Sequence, residues 1–254
     1  MKTLVTTLSL SMMFLSLNAQ EKKVYPKPEQ MRPAMTEFWT PQPKIVTPAD
    51  FDNHVIAAPS DAIVLFDGSS TSEWIHNDGT PIKWSSADGI LTVKPGTGEI
   101  RSVREFDDFQ LHLEWSAPTK ITGNSQGRGN SGVFLQGLYE LQILDSYDNE
   151  TYANGQAGSI YKQTPPLVNA TQKPGKWNVY DVIYKAPTFK NGKMVVRPTV
   201  TVIHNGAVVQ NNTTILGTTE YIGLPREVVH GKGALRLQDH GNETRFRNIW
   251  IREL

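Results

Sequence analysis

The chain has 254 residues, with 25 basic and 25 acidic side chains and no cysteine. The balanced charge argues against nucleic acid as a partner, and the missing thiols exclude disulfides, thiolate metal sites and a cysteine nucleophile. A hydrophobic fraction of 38% is ordinary for a globular protein. Because cysteine is absent, the chemistry of the protein must depend on carboxylate, imidazole, amide, hydroxyl and aromatic side chains.

Residues 1–19 have the pattern of an export signal. Lys2 precedes an apolar stretch, residues 4–17, that is too short for a comfortable membrane span. Leu17-Asn18-Ala19 is an imperfect cleavage site, because Leu rather than Ala stands at position −3. We expect cleavage after Ala19, a secreted or periplasmic protein, and no transmembrane helix elsewhere, since no other run approaches about 20 apolar residues.

Residues 20–60 are expected to form an extended arm with no sheet of its own. The segment contains seven prolines, and proline removes a backbone donor and disfavours helix at the preceding residue. Met35, Phe38 and Trp39 are apolar, so we expect them to anchor the arm on the main domain or on another subunit. The second outcome would be a homo-oligomer formed through the arm.

From residue 61 the pattern changes to short strands separated by turns. Asp88-Gly89 and Asn205-Gly206 mark tight hairpins, and no long stretch has the 3.6-residue apolar period of a helix. The predicted strands are 62–66, 82–86, 90–93, 109–115, 132–136, 139–144, 177–185, 199–204, 207–210, 234–238 and 246–252. This spacing predicts that residues 61–254 form an all-β domain, a two-sheet antiparallel sandwich.

Alternation divides the side chains of three strands between an apolar face and a polar face. The polar faces carry His112 and Glu114, Glu140 and Gln142, and Arg236 and Gln238, with His240 continuing the last row. Such groups both donate to and accept from sugar hydroxyls, although a solvated outer face would look the same. The expected ligand contacts are Glu114, Asn130, Gln136, Gln142, Tyr161, Arg236 and Gln238.

Motifs for nucleotides and metals are weak. Residues 127–132 match G-x-G-x-x-G, but they lead into a strand and no helix follows, so we expect no nucleotide. The histidines lack a zinc-binding spacing. Calcium could be held around Asp145, Asp148 and Asn149, although a turn rich in Asp and Asn is the simpler explanation. No cofactor is implied with certainty, and a divalent ion stays open.

Six blocks of the sequence resemble one known family. They are residues 105–115, 129–133, 139–146, 205–206, 235–241 and 246–251. Over residues 62–254 the chain is similar to the 3-keto-disaccharide hydrolase family, and residues 35–39 of the arm resemble one exported subgroup. The resemblance implies the concanavalin-like lectin/glucanase jelly roll and cleavage of glycosides already oxidised at C3.

A C3 ketone acidifies the C2 proton, because the resulting carbanion is delocalised as an enolate, and the C1 substituent can then leave. Such a site needs a base near the C2 proton, a stabiliser for the enolate oxygen and an acid for the leaving oxygen. Within the matching blocks, Glu140 and His240 are the leading acid/base candidates. Asp145 joins them only if its strand ends or bulges before it. Arg236 stabilises an enolate or forms a surface salt bridge.

Two other functions stay open, because the same scaffold serves different roles. One is a non-catalytic carbohydrate-binding module, and the other is a structural β-domain that uses the arm for docking. An enzyme should have a deep groove in which Glu140 and His240 reach one ligand. A lectin should have a shallow aromatic platform with its carboxylates far apart.

Overall fold

The computed structural model describes residues 29–52 and 55–254. The expected export signal, residues 1–19, lies outside the described residues. Within the described ranges there are seventeen strands, three 3₁₀ helices and no α-helix, and no helix there is long and apolar enough to cross a membrane. The 3₁₀ helices are Pro33–Thr36, Ser125–Gly127 and Ala153–Gly155.

The strands follow one another along the chain with short connections. In order they are β1 (Lys44–Ile45), β2 (Ile63–Phe66), β3 (Trp74–His76), β4 (Ser85–Ala87), β5 (Ile90–Thr92), β6 (Ile100–Phe106), β7 (Phe109–Ser116), β8 (Asn130–Leu135), β9 (Tyr139–Leu144), β10 (Val168–Asn169), β11 (Asn178–Lys185), β12 (Thr188–Lys190), β13 (Lys193–Val196), β14 (Thr199–His204), β15 (Ala207–Thr214), β16 (Gly233–Leu237) and β17 (Arg245–Glu253).

Two antiparallel sheets enclose one core. The larger has the order β15-β14-β11-β7-β17-β5-β4, with β2 also paired to β17, and the smaller has the order β3-β6-β16-β8-β9. Alternate residues of both sheets, such as Leu113 and Trp115 on β7 and Leu141 and Ile143 on β9, are buried between them. The predicted all-β jelly-roll sandwich is confirmed.

Four strands longer than two residues, β3, β6, β12 and β13, were not predicted from alternation. Of these, β3 is only three residues long. The middle of β6 is exposed, and a register shift opposite it, between Ala234 and Arg236, interrupts the pairing with β16. Strands β12 and β13 pair only with each other. Neither β6 nor this hairpin has one face fully packed on the core, so neither shows a clean period of two.

The arm docks on the sandwich mainly through its backbone. Strand β1 pairs in parallel with β10. The Phe38 N–H donates to Asn154 Oδ1 (2.9 Å), and the Ala153 N–H donates to the Phe38 carbonyl (2.6 Å). Phe38 and Trp39 stay about half exposed, at 49% and 47%, although the Trp39 ring meets the Tyr152 ring edge-on. Backbone hydrogen bonds thus hold the arm where apolar side chains were expected to.

Candidate active site

A groove of about 620 Å³ lies on the face of the smaller sheet that points away from the core. Its lining is polar and aromatic and consists of Glu37, Gln126, Gly127, Asn130, Phe134, Glu140, Gln142, Tyr152, Tyr161, Thr219, Tyr221, Gln238 and His240. Strands β8 and β9 supply the floor, because their alternate residues face outward. Phe134 pairs with Glu140, and Gly132 with Gln142.

Six residues expected at the site line this groove together. They are Asn130, Glu140, Gln142, Tyr161, Gln238 and His240. Glu140 is buried on β9, whereas His240 is exposed and lies just beyond the end of β16. Strands distant in sequence therefore bring a carboxyl, an imidazole and several amides to one cavity.

The Glu140 carboxyl has lost most of its water without gaining a cation. Glu140 is 4% exposed. Among the described residues, its carboxyl has no ion-pair partner within 4 Å. Burial disfavours the charged form and raises the pKa of Glu140 to about 8, with Arg236 acting against the shift and Glu99 adding to it. A carboxyl with this pKa can both accept and release a proton near neutral pH.

An amide chain reaches Glu140 from the loop before β8. Gln126 Nε2 donates to Thr151 Oγ1 and to the Gly155 carbonyl, both at 2.9 Å, so Gln126 Oε1 is an acceptor. Gln142 Nε2 donates to that oxygen at 2.9 Å. The amide oxygen of Gln142 then lies 3.2 Å from Glu140 Oε1. In this orientation the Gln142 oxygen also faces the Ser131 carbonyl oxygen at 3.1 Å. The reversed amide would donate to both the Ser131 carbonyl and Glu140 Oε1, and its oxygen would then face Gln126 Oε1 at 2.9 Å. In either orientation, the Gln142 amide is the polar group that meets the Glu140 carboxyl.

Two phenols stand beside the carboxyl. The Tyr152 and Tyr161 hydroxyls are 2.7 Å apart. Burial raises the pKa of Tyr161 to about 12, and it raises the pKa of Tyr152 as well, with Glu140 and Glu37 adding to both shifts. Both phenols keep their protons at neutral pH. Since one proton bridges the pair, the other is available to a ligand oxygen.

Arg236 lies beside the groove rather than in its lining. Its Nη1 pairs with Glu99 Oε2 at 2.5 Å, and its guanidinium stacks on the Phe134 ring, 3.9 Å from the centroid. Of the two roles considered from the sequence, the salt bridge is the one that the structure contains. The charge still acts on Glu140 at a distance.

Glu114 and Gln136 do not face the groove, which corrects both expected ligand contacts. Glu114 lies on β7 in the larger sheet, where Arg247 Nε donates to its Oε2 at 2.5 Å. Gln136 follows the end of β8 with a positive φ of 50°. Its Oε1 accepts from the Tyr184 hydroxyl at 2.7 Å, and its Nε2 donates to the Phe106 carbonyl at 3.0 Å. Alternation cannot tell which sheet a polar face belongs to, and it stops applying at a turn.

Asp145 also lies outside the groove, which corrects its expected catalytic position. It follows β9, and Arg128 Nε and Nη2 donate to its Oδ2 at 2.9 and 2.5 Å. Arg128 also donates to the Asp148 carbonyl at 3.0 Å, and Asn149 Nδ2 donates to the Asp145 carbonyl at 2.7 Å. The Asp145 carboxylate is thus paired with a guanidinium, in the loop where a calcium ion was one of the two possibilities. Within residues 29–52 and 55–254, no group of three or more His, Cys, Asp or Glu side chains could hold a metal ion.

Sequence reasoning missed five lining residues that carry polar groups. They are Glu37, Gln126, Tyr152, Thr219 and Tyr221. All five come from the arm or from connections outside the named strands, where no period assigns a side chain to a face. The one available signal was the resemblance of residues 35–39 to a subgroup of the family.

Comparisons with known proteins agree with this architecture. Residues 61–252 match the model of the 3-keto-alpha-glucoside-1,2-lyase-like domain. A 3-keto-disaccharide hydrolase from Bacteroides thetaiotaomicron is 25% identical over 259 aligned residues, covering 83% of this chain and 85% of the relative.

Two solved structures from Parabacteroides distasonis ATCC 8503 are also similar, and both are described as candidate glycosyl hydrolases. The first is 57% identical with a TM-score of 0.78, and the match covers 87% of this chain and 95% of that one. The second is 21% identical with a TM-score of 0.57, covering 78% and 98%, and it supports the fold alone. Since the family match spans most of the chain, the protein belongs to the 3-keto-alpha-glucoside-1,2-lyase-like family and is a carbohydrate-active, glycoside-cleaving enzyme.

Proposed function

We propose that the protein cleaves 3-keto-glycosides by removing the C2 proton and expelling the C1 substituent. The family and the hydrolase relative support the substrate class. The observation that carries the proposal is the buried Glu140 carboxyl, whose pKa is raised to about 8 in a groove that it shares with His240. A base of this strength takes up a proton and returns it within one catalytic cycle.

The reaction begins when the Glu140 carboxylate removes the C2 proton and the electron pair moves onto the C3 oxygen. One hydroxyl of the Tyr152–Tyr161 pair does not use its proton within the pair, and this hydroxyl is suited to donate a hydrogen bond to that enolate oxygen. The C3 carbonyl then re-forms as the C1–C2 double bond forms and the bond from C1 to the leaving oxygen breaks. His240 protonates the leaving oxygen.

The fate of the unsaturated ketone decides the name of the reaction. Addition of water places a hydroxyl on C1 and a proton on C2, and the proton held by Glu140 can be the one returned. The net result is then hydrolysis. Release of the unsaturated ketone before water adds makes the reaction a lyase reaction.

The test compares wild-type protein with Glu140→Gln and His240→Ala on a 3-keto-disaccharide. We expect kcat to fall by about 10²- to 10⁴-fold in each variant, as is usual when a positioned acid or base is lost. Glu73→Gln, which removes a partly exposed partner of Arg104 outside the groove, should retain wild-type turnover and serves as the control. Near-normal turnover by Glu140→Gln would remove that residue from the mechanism. A wild-type protein inactive on every 3-keto-glycoside would refute the proposed reaction.

We also propose that the enzyme is exported. Support comes from Lys2 and the apolar residues 4–17, and the absence of cysteine suits an oxidising compartment. Protein isolated from the periplasm or the medium of expressing cells should begin at Gln20. Protein found in the cytoplasm with an intact N-terminus would contradict export.

A further inference from the structure

The arm contributes a carboxylate to the groove. Glu37 lies before residues 61–252, the region that matches the family model, yet it lines the same cavity as Glu140. Its side chain is only 16% exposed. The groove is therefore completed by a segment outside the matched domain.

A buried lysine fixes the position of Glu37. Lys162 Nζ donates to the Pro33 carbonyl at 2.7 Å and to the Tyr221 carbonyl at 2.9 Å, and it lies 3.7 Å from Glu37 Oε1. The Lys162 side chain is 2% exposed. On the other side of Glu37, Asn154 Nδ2 donates to the Thr36 carbonyl at 2.9 Å. Glu37 is thus held in place before any ligand arrives.

The chain segment that contains Lys162 also connects Glu37 to the end of the groove where Glu140 lies. The residue before Lys162 is Tyr161, whose N–H donates to the Glu140 carbonyl at 3.1 Å. The Tyr152–Tyr161 pair lies within electrostatic reach of both carboxyl groups. Glu37 and Glu140 therefore belong to one rigid assembly, joined through residues 161 and 162.

The Glu37 carboxylate has unused acceptor capacity. Apart from the 3.7 Å contact with Lys162, no donor of the described residues reaches it. An ionised carboxylate only accepts hydrogen bonds, and bonds from a hydroxyl to a carboxylate are among the stronger ones. A ligand with adjacent hydroxyl groups would fill this capacity.

We propose that Glu37 binds hydroxyl groups of the leaving sugar, the unit attached to C1 of the oxidised ring. This inference rests on the proposed function, in which Glu140 acts on the oxidised ring. That ring has a carbonyl at C3, which only accepts hydrogen bonds and is repelled by a carboxylate. The unoxidised unit keeps its full set of hydroxyl donors, so it is the part of the substrate that suits Glu37.

The test measures selectivity between two leaving groups. The substrates are a 3-keto-disaccharide and the methyl glycoside of the same 3-keto sugar, which lacks the second ring. We expect Glu37→Gln to lower kcat/KM for the disaccharide, relative to kcat/KM for the methyl glycoside, by about 10-fold. This is the size expected for losing a hydrogen bond to a charged group. Glu227→Gln, which removes an exposed partner of Arg197, should leave the ratio unchanged. Thermal unfolding of each variant checks that the fold is retained.

Each alternative outcome has one meaning. An equal loss on both substrates would show that Glu37 merely keeps the arm docked, and Asn154→Ala, which unfastens the arm, provides the reference for that pattern. No loss on either substrate would also overturn the inference. In both cases the proposed function survives if wild-type protein turns over both substrates and Glu140→Gln shows its large loss of kcat on both. If wild-type protein turns over neither, the proposed function fails and the assignment of Glu37 fails with it.

Discussion

Position 132 decides where the Glu140 carboxyl can lie. Gly132 is in β8, on the floor of the groove, and pairs with Gln142 in β9. A Cβ built at this position would lie 2.5 Å from Glu140 Oε1 and 3.1 Å from its Cγ and Cδ. Glycine usually weakens a strand interior. Here it leaves the recess in which the carboxyl loses its water, and that recess is the origin of the raised pKa.

We expect Gly132→Ala to impair the enzyme while leaving it folded. The atoms in conflict belong to the end of a flexible side chain, so the carboxyl can turn out of the recess without a shift of the backbone. A misplaced base should lower kcat by about 10- to 100-fold, while the melting temperature changes little. Kinetics on a 3-keto-disaccharide and thermal unfolding measure the two effects.

The matched control for that substitution is Gly231→Ala. A Cβ at position 231 meets no atom within 4 Å, so activity and melting temperature should both stay at wild-type values. Full activity in Gly132→Ala would mean that Glu140 does not need its recess. A large loss of melting temperature would mean that the backbone moves instead of the carboxyl.

At the scale of elements, the strands that support the groove were predictable because one of their faces packs on the core. On β9, Leu141 and Ile143 point inward, so Glu140 and Gln142 must point outward. The same argument applied to β7 predicted that Glu114 contacts the ligand, which was wrong. There the outer face of the larger sheet is covered by the arm, and Asn248 Nδ2 donates to both Glu114 Oε1 and the Ile56 carbonyl.

Pairing between distant segments accounts for the rest of what the sequence could not provide. The groove exists because β16 lies between β6 and β8, and no local pattern encodes that neighbourhood. Glu37 reaches the groove because Asn154 binds its two neighbours in the chain and Lys162 lies near its carboxylate, and both residues are more than 100 positions further along the chain. Asp145 shows that alternation also fails locally, where a strand ends. It follows the last residue of β9, and its carboxylate turns towards Arg128.

For the whole molecule, two buried groups hold protons that the unfolded chain would release. The pKa of Glu140 rises from 4.5 to about 8 on folding because of burial. Burial of His112 opposes its charged form, but Asp181 Oδ1 at 2.7 Å from Nδ1 and Glu114 Oε1 at 3.5 Å from Nε2 outweigh it and raise the pKa of His112. The two groups lie on different sheets and act on stability in the same direction.

The sign follows from proton linkage. Between pH 4.5 and 8, folded Glu140 keeps a proton that the unfolded chain has lost, so the free energy of unfolding falls as pH rises. The contribution of His112 is complete below pH 6.5 and is lost as pH rises through its raised pKa. Burial lowers the pKa of His204 to about 3, so above pH 6.5 this residue is neutral in both states and adds nothing.

We therefore expect the free energy of unfolding in urea to be lower at pH 8.5 than at pH 7, with Glu140 alone contributing about 1 kcal/mol of the difference. Glu140→Gln carries no ionisable group, so it should lose that part of the pH dependence and gain stability relative to wild type at pH 8.5. Glu73→Gln should keep the wild-type dependence. A Glu140→Gln variant with the wild-type slope would mean that Glu140 is already ionised at pH 7, and the recess would then not control its charge.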